Sequence, residues 1–338
     1  MNNSGPSAAE VIAAVEAWLA APGEPDPWVV ETSGSTGRPK RVVLSRRAMT
    51  ASAQASAARL GATGPWLLAV PPSYVAGLNV VVRSLLAGHR PVVADDHESF
   101  ADAAEAVGPG GFVSVVPTQL HRLLETDPRA AAAMARFHTV LLGGGPIDPA
   151  LRARAAAAGV RVVATYGSAE TCGGCVYDGL PLDGVGLAIG VDGRVRLSGP
   201  MLFDGYRDDP ELTREVLVDG WFLTSDAGRV DEDGRLQLLG RLDDMVVTGG
   251  VNVPAPAVAA RLRNHPQVAA AEVLGVPDEE WGNRLVAFVV GSIGLDELRD
   301  WVSAERPRSW APRQLVTLTE IPMLPNGKPD RLRLRGLV

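Results

Sequence analysis

The sequence predicts a layered α/β protein with a β-rich continuation and a small, mobile α+β domain at its C-terminal end. Apolar runs of strand length alternate with Ala-rich stretches through the first half of the chain, which is typical of strands buried on both faces. From about Val185 onward, Asp-Gly pairs separate short apolar runs, which indicates turns between short strands. We therefore expect a large N-terminal domain at residues 1–240, a hinge at 241–245 and a small domain at 246–338.

The first predicted element is an amphipathic helix over residues 8–20, because apolar residues recur there at helical spacing before a Pro/Gly-rich segment. Strands are then predicted at residues 66–70, 91–94, 112–116, 139–142 and 160–164. Two of these are followed by small or polar residues, Gly143-Gly144-Gly145 and Tyr166-Gly167-Ser168. Open α/β sheets bind ligands at such strand ends.

The second half is predicted to contain turns at Asp192-Gly193, Asp219-Gly220 and Asp233-Gly234. After the polar residues 241–244, the tail carries apolar runs at 269–276 and 285–290 and a helical pattern at 295–305. These favour two strands and a helix, which suits a compact α+β tail.

Composition excludes several classes of function. The chain has 338 residues, is 46% hydrophobic and carries a formal net charge of -7, so it has a sizeable core and no general basic surface for nucleic acid. Its first residues lack a basic segment followed by an apolar one, and no run is long enough for a membrane span. We expect a cytoplasmic protein that holds any anionic ligand with local groups.

Lysine is almost absent from a chain with 32 basic residues, since only Lys40 and Lys328 occur. Strong codon bias could leave two lysines by chance, but a compact ammonium is also what phosphate and carboxylate chemistry requires. Lys40 follows a loop whose hydroxyls and unhindered N–H groups could bind an anion: Thr32, Ser33, Gly34, Ser35, Thr36 and Gly37. The loop lacks the Gly-Lys-Ser/Thr ending of a Walker A motif.

The two cysteines, Cys172 and Cys175, have the spacing of a redox pair or of half a zinc site. A second pair of ligands is absent from the sequence around them. We expect them to be reduced bystander thiols.

Four further motifs follow the loop at residues 32–40. They are Thr165-Tyr166-Gly167-Ser168-Ala169-Glu170, Thr224-Ser225-Asp226, Gly240-Arg241-Leu242-Asp243-Asp244 and Pro325-Asn326-Gly327-Lys328. In this order the five motifs resemble those of the adenylate-forming superfamily, which contains acyl-CoA synthetases, luciferases and peptide-synthetase adenylation domains. The resemblance covers nearly the whole chain.

The resemblance implies a role for each matching residue. The loop residues 32–37 and Lys40, with Gly144, Gly167 and Ser168, would bind ATP and its phosphates. Tyr166 would pack against adenine, Asp226 and Arg241 would bind the ribose side of ATP, and Glu170 would ligate Mg²⁺. Asp243 would be the hinge, and Gly249 and Gly250 would line a channel for the thiol of coenzyme A. Lys328 would bridge the substrate carboxylate and the α-phosphate, which makes Lys328 and Glu170 the catalytic residues.

One residue departs from the family pattern. Ala169 stands where the family usually has Thr, so a hydroxyl near the phosphates is missing. Ser168 and Thr171 are the candidates to replace it.

The acid substrate is suggested by residues 71–85. Residues 71–80 contain no acidic side chain, which argues against an amino-acid substrate, and Arg83 stands in an otherwise apolar helix. A buried Arg would require a partner, whereas an exposed one would only mark an amphipathic face. The pattern is similar to that of the o-succinylbenzoate-CoA ligases of menaquinone synthesis, and the early position of the loop, at residue 32, matches compact actinobacterial forms.

This similarity assigns the pocket for o-succinylbenzoate to Arg83, Tyr74, Gly77 and Gly143, with ATP, Mg²⁺ and coenzyme A as cofactor and co-substrates. Tyr74 replaces a His that is common in the family. A general aryl- or medium-chain acyl-CoA synthetase and a catalytically inactive nucleotide-binding module are the alternatives. A homodimer is compatible with the sequence.

Overall fold

The computed structural model describes residues 6–32, 40–323 and 329–338. The chain divides into two compact units. The first takes in Met1–Ala188, Arg196–Thr224 and Val230–Leu236, and the second takes in Ile189–Val195, Ser225–Arg229 and Gln237–Val338. The predicted hinge at residues 241–245 rests on a sequence motif and stays a prediction.

The helices of the first unit are α1 (Ala8–Ala20), α2 (Arg46–Leu60), α3 (Val75–Leu86), α4 (Phe100–Val107), α5 (Pro117–Thr126), α6 (Pro128–Met134), α7 (Pro149–Ala157) and α8 (Pro210–Val216). Those of the second are α9 (Ala255–Arg263), α10 (Leu295–Ser303) and α11 (Arg331–Arg335). Short 3₁₀ turns lie at Ala94–Asp96, Ala169–Thr171, Leu242–Asp244 and Arg308–Trp310. The predicted opening helix is confirmed, and it begins with a capping box in which Ser7 and Glu10 bond reciprocally.

The strands up to the β-rich part are β1 (Trp28–Thr32), β2 (Lys40–Leu44), β3 (Trp66–Leu68), β4 (Val92–Val93), β5 (Phe112–Val115), β6 (Thr139–Leu142), β7 (Val162–Ser168), β8 (Gly173–Tyr177) and β9 (Leu180–Pro181). Then come β10 (Gly186–Ile189), β11 (Arg194–Ser198), β12 (Gly205–Tyr206), β13 (Leu217–Val218), β14 (Trp221–Val230) and β15 (Leu236–Arg241). The tail holds β16 (Met245–Thr248), β17 (Val251–Pro254), β18 (Val268–Asp278), β19 (Gly282–Gly291) and β20 (Gln314–Thr317).

A seven-stranded sheet forms the middle layer of the first unit, in the order β4-β3-β5-β6-β7-β8-β9. Its first five strands are parallel, β8 pairs antiparallel with β7, and β9 pairs antiparallel with β8. Successive side chains of a strand point to opposite faces, so each of the five parallel strands contributes to two apolar cores. Phe112 and Leu141 belong to one core, while Val113, Val140 and Leu142 belong to the other. The prediction of strands buried on both faces is confirmed.

A second, three-stranded sheet has the order β1-β2-β12. In it Thr32 pairs with Lys40, and Tyr206 pairs with Val42. The two strands that flank the predicted phosphate loop are therefore held side by side, and Lys40 begins the central strand of this sheet.

The second unit contains a three-stranded sheet, in the order β18-β19-β20, and a β16–β17 hairpin. Helices α9 and α10 pack with this sheet around one apolar core, which includes Val258, Leu262, Val273, Ala287 and Leu298. The two predicted tail strands and the tail helix are confirmed. The strands are longer than expected, because β18 pairs with β19 almost along its whole length.

Candidate functional site

A cavity of about 130 Å³ opens at the carboxyl ends of the parallel strands in the first unit. Residues that directly follow β5 and β6 line it, together with part of β7, β8 and one side of α3: Val70, Val75, Ala76, Asn79, Arg83, Ser114, Val115, Val116, Leu141, Gly143, Gly144, Thr165, Gly167, Gly173, Gly174 and Tyr177. We call it the strand-end cavity. It brings together Arg83, Gly143, Gly144 and Gly167, which come from three separate stretches of the sequence.

Arg83 is the charged group of this cavity. Arg83 is only 8% exposed. Its Nη2 donates a hydrogen bond of 3.2 Å to Tyr177 Oη, and its guanidinium lies 5.4 Å from the centroid of the Trp66 ring. Among the described residues, Nε has no hydrogen-bond partner and no carboxylate pairs with the guanidinium. Burying an uncompensated charge is costly, so an anionic ligand would be favoured here.

Asn79 is a cavity residue that the sequence did not single out. Its Nδ2 donates to the backbone oxygen of Cys172 at 2.6 Å, and its Oδ1 is buried without a partner among the described residues. Asn79 lies one helical turn before Arg83 on α3, and this i, i+4 spacing from a singled-out Arg is the signal that could have found it.

Glu170 lies in the 3₁₀ turn after β7 and is buried. Its Oε1 accepts a hydrogen bond of 2.8 Å from Tyr206 Oη. The Tyr206 ring in turn lies 5.2 Å from Lys40 Nζ. Burial raises the pKa of Tyr206, and the negative charge of Glu170 raises it further, so the phenol remains a donor. The structure thus connects two predicted ATP-site residues, Lys40 and Glu170, through a tyrosine that was not predicted.

The hydroxyl missing at Ala169 is not replaced by Thr171 in this structure. Thr171 is fully buried, and its Oγ1 accepts from Ser168 N at 2.9 Å and donates to the Gly173 oxygen at 2.7 Å. Ser168 Oγ has no hydrogen-bond partner among the described residues. Of the two candidates, Ser168 is the one with a free hydroxyl.

Three other predicted residues of the first unit, Tyr166, Tyr74 and Gly77, do not line the strand-end cavity. Tyr166 is half-buried on β7 opposite Val176 of β8. Tyr74 is 53% exposed at the start of α3 and does not line the strand-end cavity. Gly77 does not line it either, but a Cβ there would stand 2.3 Å from the Pro71 oxygen, so this glycine allows α3 to approach the preceding loop.

In the second unit, Asp226 lies on β14 and Arg241 ends β15. Asp243 belongs to the 3₁₀ turn that follows. Gly249 and Gly250 form the two-residue turn between β16 and β17, with φ values of +55° and +78°, which suit a type I′ hairpin. A Cβ on Gly249 would lie 2.6 Å from the Trp281 ring. Ser33, Gly34, Ser35, Thr36, Gly37 and Lys328 lie outside the described residues.

Both cysteines are buried free thiols. Burial raises the pKa of Cys175 to about 12 and raises that of Cys172 well above its usual range. Across residues 6–32, 40–323 and 329–338, no group of three or more His, Cys, Asp or Glu residues is arranged to hold a metal ion. Over the same described ranges, no helix has the length and apolar character needed to cross a membrane.

Comparison with known proteins matches both parts of the chain to family models. Residues 28–200 match the AMP-binding enzyme family, and residues 257–328 match the AMP-binding enzyme C-terminal domain. The chain is 43% identical over 319 residues to a Mycobacterium tuberculosis protein named probable 2-succinylbenzoate--CoA ligase, covering 90% of this chain and 83% of that protein.

Two solved structures are similar over 91% of this chain and 68% of theirs. One is o-succinylbenzoate CoA synthetase from Bacillus subtilis in complex with the acyl-adenylate intermediate OSB-AMP, with a TM-score of 0.76 and 28% identity. The other is an amide bond synthetase from Marinactinospora thermotolerans, with a TM-score of 0.76 and 30% identity. With both its large and its C-terminal parts matched, this chain belongs to the AMP-binding enzyme family.

Proposed function

We propose that this protein is an ATP-dependent acid–thiol ligase that activates o-succinylbenzoate as an acyl-adenylate and transfers the acyl group to coenzyme A. The observation that carries the choice of acid is Arg83, a buried cation that no carboxylate of the described residues pairs with, in a cavity otherwise lined by uncharged residues. A dicarboxylate has one carboxylate to be activated and a second one to pair with this guanidinium. The relatives named for 2-succinylbenzoate support the same choice.

The chemistry consists of two displacements. In the first, an oxygen of the acid carboxylate attacks the α-phosphorus of ATP, the bond to pyrophosphate breaks, and acyl-adenylate forms. In the second, the sulfur of coenzyme A attacks the acyl carbon, loses its proton, and AMP leaves with the former bond electrons. Two steps through an activated intermediate replace one difficult condensation.

The described residues suit parts of this scheme. The strand-end cavity holds the acid, with Arg83 fixing the far carboxylate and the small residues Gly143 and Gly144 permitting close approach at the reacting end. Glu170 is a buried carboxylate whose Oε1 is oriented by Tyr206, and a hard oxygen of this kind suits Mg²⁺. When bound there, Mg²⁺ would offset the charge of the ATP phosphates. Lys40 adds a positive charge near the same tyrosine.

The remaining assignments are also proposals. Tyr166 would contact adenine, Asp226 and Arg241 the ribose, and residues 32–37 the phosphates. Lys328 would stabilise the charge that develops at the α-phosphate, a contribution typically of about 10²–10³ in rate. Rotation of the small domain at residues 241–245 would then bring Gly249 and Gly250 to the thiol channel. A cytoplasmic location and a homodimer stay predictions, the second checked by sedimentation.

The test is pyrophosphate release with ATP and Mg²⁺ across a panel of acids: o-succinylbenzoate, benzoate, octanoate and mixed amino acids, with and without coenzyme A. We expect a strong preference for o-succinylbenzoate and a thioester only when coenzyme A is present. Preference for benzoate or octanoate would establish the alternative, a general aryl- or medium-chain acyl-CoA synthetase. ATP binding without pyrophosphate exchange on any acid would indicate an inactive module.

Arg83→Ala is the matching variant. It should raise KM for o-succinylbenzoate strongly and leave KM for ATP unchanged, because Arg83 lies in the acid cavity and not beside Lys40, Tyr206 or Glu170. An unchanged KM for the acid would remove Arg83 from the pocket.

A further inference from the structure

A second cavity, of about 170 Å³, lies between α2 and α3 of the first unit. Its lining is mostly apolar or small and includes Ser56, Ala57, Leu60, Trp66 and Arg83. We call it the α2–α3 cavity. A cavity of this volume has room for a group as large as a benzene ring.

Arg83 is the one side chain that lines both this cavity and the strand-end cavity. Next to it, Tyr177 lines the strand-end cavity and Ser56 lines the α2–α3 cavity, and their hydroxyls are 2.8 Å apart. Tyr177 Oη also accepts from Arg83 Nη2. These three hydrogen-bonded side chains therefore border the two spaces. We call them the wall, and Arg83 is its charged member.

We propose that Arg83 is a specificity gate that closes the acid pocket, and that the α2–α3 cavity is a latent subsite for the apolar end of a longer monocarboxylic acid. This rests on the proposed function, since it assumes that the strand-end cavity holds the acid. Arg83 disfavours an apolar tail for two reasons. Its side chain fills the path from the strand-end cavity to the α2–α3 cavity, and an apolar tail would cover the buried guanidinium without pairing its charge. A dicarboxylate of the right length meets the same group as a partner.

Two variants separate volume from charge. Arg83→Met removes the charge and keeps a long side chain in the wall, whereas Arg83→Ala removes both. We expect both to lose the preference for o-succinylbenzoate, and only Arg83→Ala to gain activity on octanoate. The gain in kcat/KM should be at least about tenfold, the effect of burying about two further methylenes. Butyrate is too short to reach the α2–α3 cavity, so its kcat/KM should show no comparable gain.

A third variant tests where the tail goes. Ala57 lines the α2–α3 cavity and not the strand-end cavity, so Ala57→Leu should fill the latent subsite. In the Arg83→Ala background it should cancel the gain on octanoate, and in the otherwise unchanged protein it should leave o-succinylbenzoate turnover as it was. Thermal unfolding curves of the four variants establish that each is folded: Arg83→Met, Arg83→Ala, Ala57→Leu and the double variant of Arg83→Ala with Ala57→Leu.

The proposal is overturned if folded Arg83→Ala shows no gain that grows from butyrate to octanoate, if Arg83→Met gains equally, or if Ala57→Leu does not cancel the gain. These outcomes differ from a failure of the proposed function, which the unchanged protein alone reveals. If that protein prefers another acid, the identity of the substrate is wrong, while the comparison of butyrate with octanoate still tests the gate.

Discussion

Tyr206 donates a hydrogen bond of 2.8 Å from its hydroxyl to Oε1 of Glu170, which lies 36 residues earlier in the chain. Both residues are buried, and the ring of Tyr206 also faces Lys40 Nζ. Because its pKa is raised by burial and by the Glu170 charge, the phenol keeps its proton and fixes one carboxylate oxygen. Tyr206 is therefore expected to position Glu170.

Tyr206→Phe should lower kcat/KM for MgATP more than it lowers kcat/KM for the acid. A hydrogen bond to a charged group contributes about 1.5–3 kcal/mol, so kcat/KM for MgATP should fall by about tenfold to 100-fold at low Mg²⁺ and recover partly at high Mg²⁺. Pyrophosphate release measured over a series of Mg²⁺ concentrations checks this. The matched control is Tyr177→Phe, which removes another buried tyrosine hydroxyl that contacts Ser56 and Arg83. An equal Mg²⁺ dependence in both variants would contradict the positioning role.

Gly77→Ala should destabilise the protein through the start of α3. The added Cβ would meet backbone atoms of Pro71 and Pro72 at 2.3–2.7 Å, so the helix or the loop must move. Overpacking of this kind costs about 1–3 kcal/mol. Urea unfolding measures the loss of stability. Gly64→Ala is the control, since its Cβ would find the nearest atom at an ordinary 3.4 Å. If both substitutions lower the free energy of unfolding equally, close packing at Gly77 is not what requires a glycine there.

Arg331→Met should destabilise the second unit. Arg331 Nε donates to Glu272 Oε1 at 2.9 Å, and Nη1 contacts Asp244. The Glu272 side chain is largely buried, whereas Arg331 is partly exposed, so solvent screening limits the cost to about 1–2 kcal/mol. Adding Glu272→Gln to Arg331→Met should recover part of the loss, because it removes the carboxylate left without its partner. Chemical unfolding of the three proteins would contradict this if the double variant were the least stable.

The Cys175 thiol should make stability fall at high pH. Its folded pKa of about 12 lies above the ordinary value of about 8.5. Its contribution is therefore fully present below about pH 8.5 and is lost as the pH rises toward the folded pKa. Between pH 8 and pH 10 the free energy of unfolding should fall by about 1–2 kcal/mol more than in Cys175→Ala. Parallel urea titrations at both pH values measure the difference, and identical slopes would contradict the buried, protonated thiol.

Local sequence patterns were enough to predict the fold class, the opening helix, the five parallel strands, and two strands and one helix of the tail. Helix 8–20 was predictable because its apolar spacing and its Ser7–Glu10 capping box are local, and the parallel strands because burial on both faces leaves unbroken apolar runs. The motif order indicated the family, and the position of Arg83 in an apolar helix made it a candidate pocket residue while leaving its burial open. Each of these features is a short, local pattern or the order of such patterns, so it can be read along the chain.

Which distant side chains meet became visible only in the folded chain. Tyr206 reaches Glu170 because β12 pairs with β2 and places Tyr206 opposite Val42, a long-range register that no local pattern encodes. Ser56, Tyr177 and Arg83 likewise come from two helices and a strand, and only their packing forms the wall that borders the two cavities. Hydrogen bonds and cavities depend on positions in space, and for residues more than 90 apart along the chain only folding sets those positions.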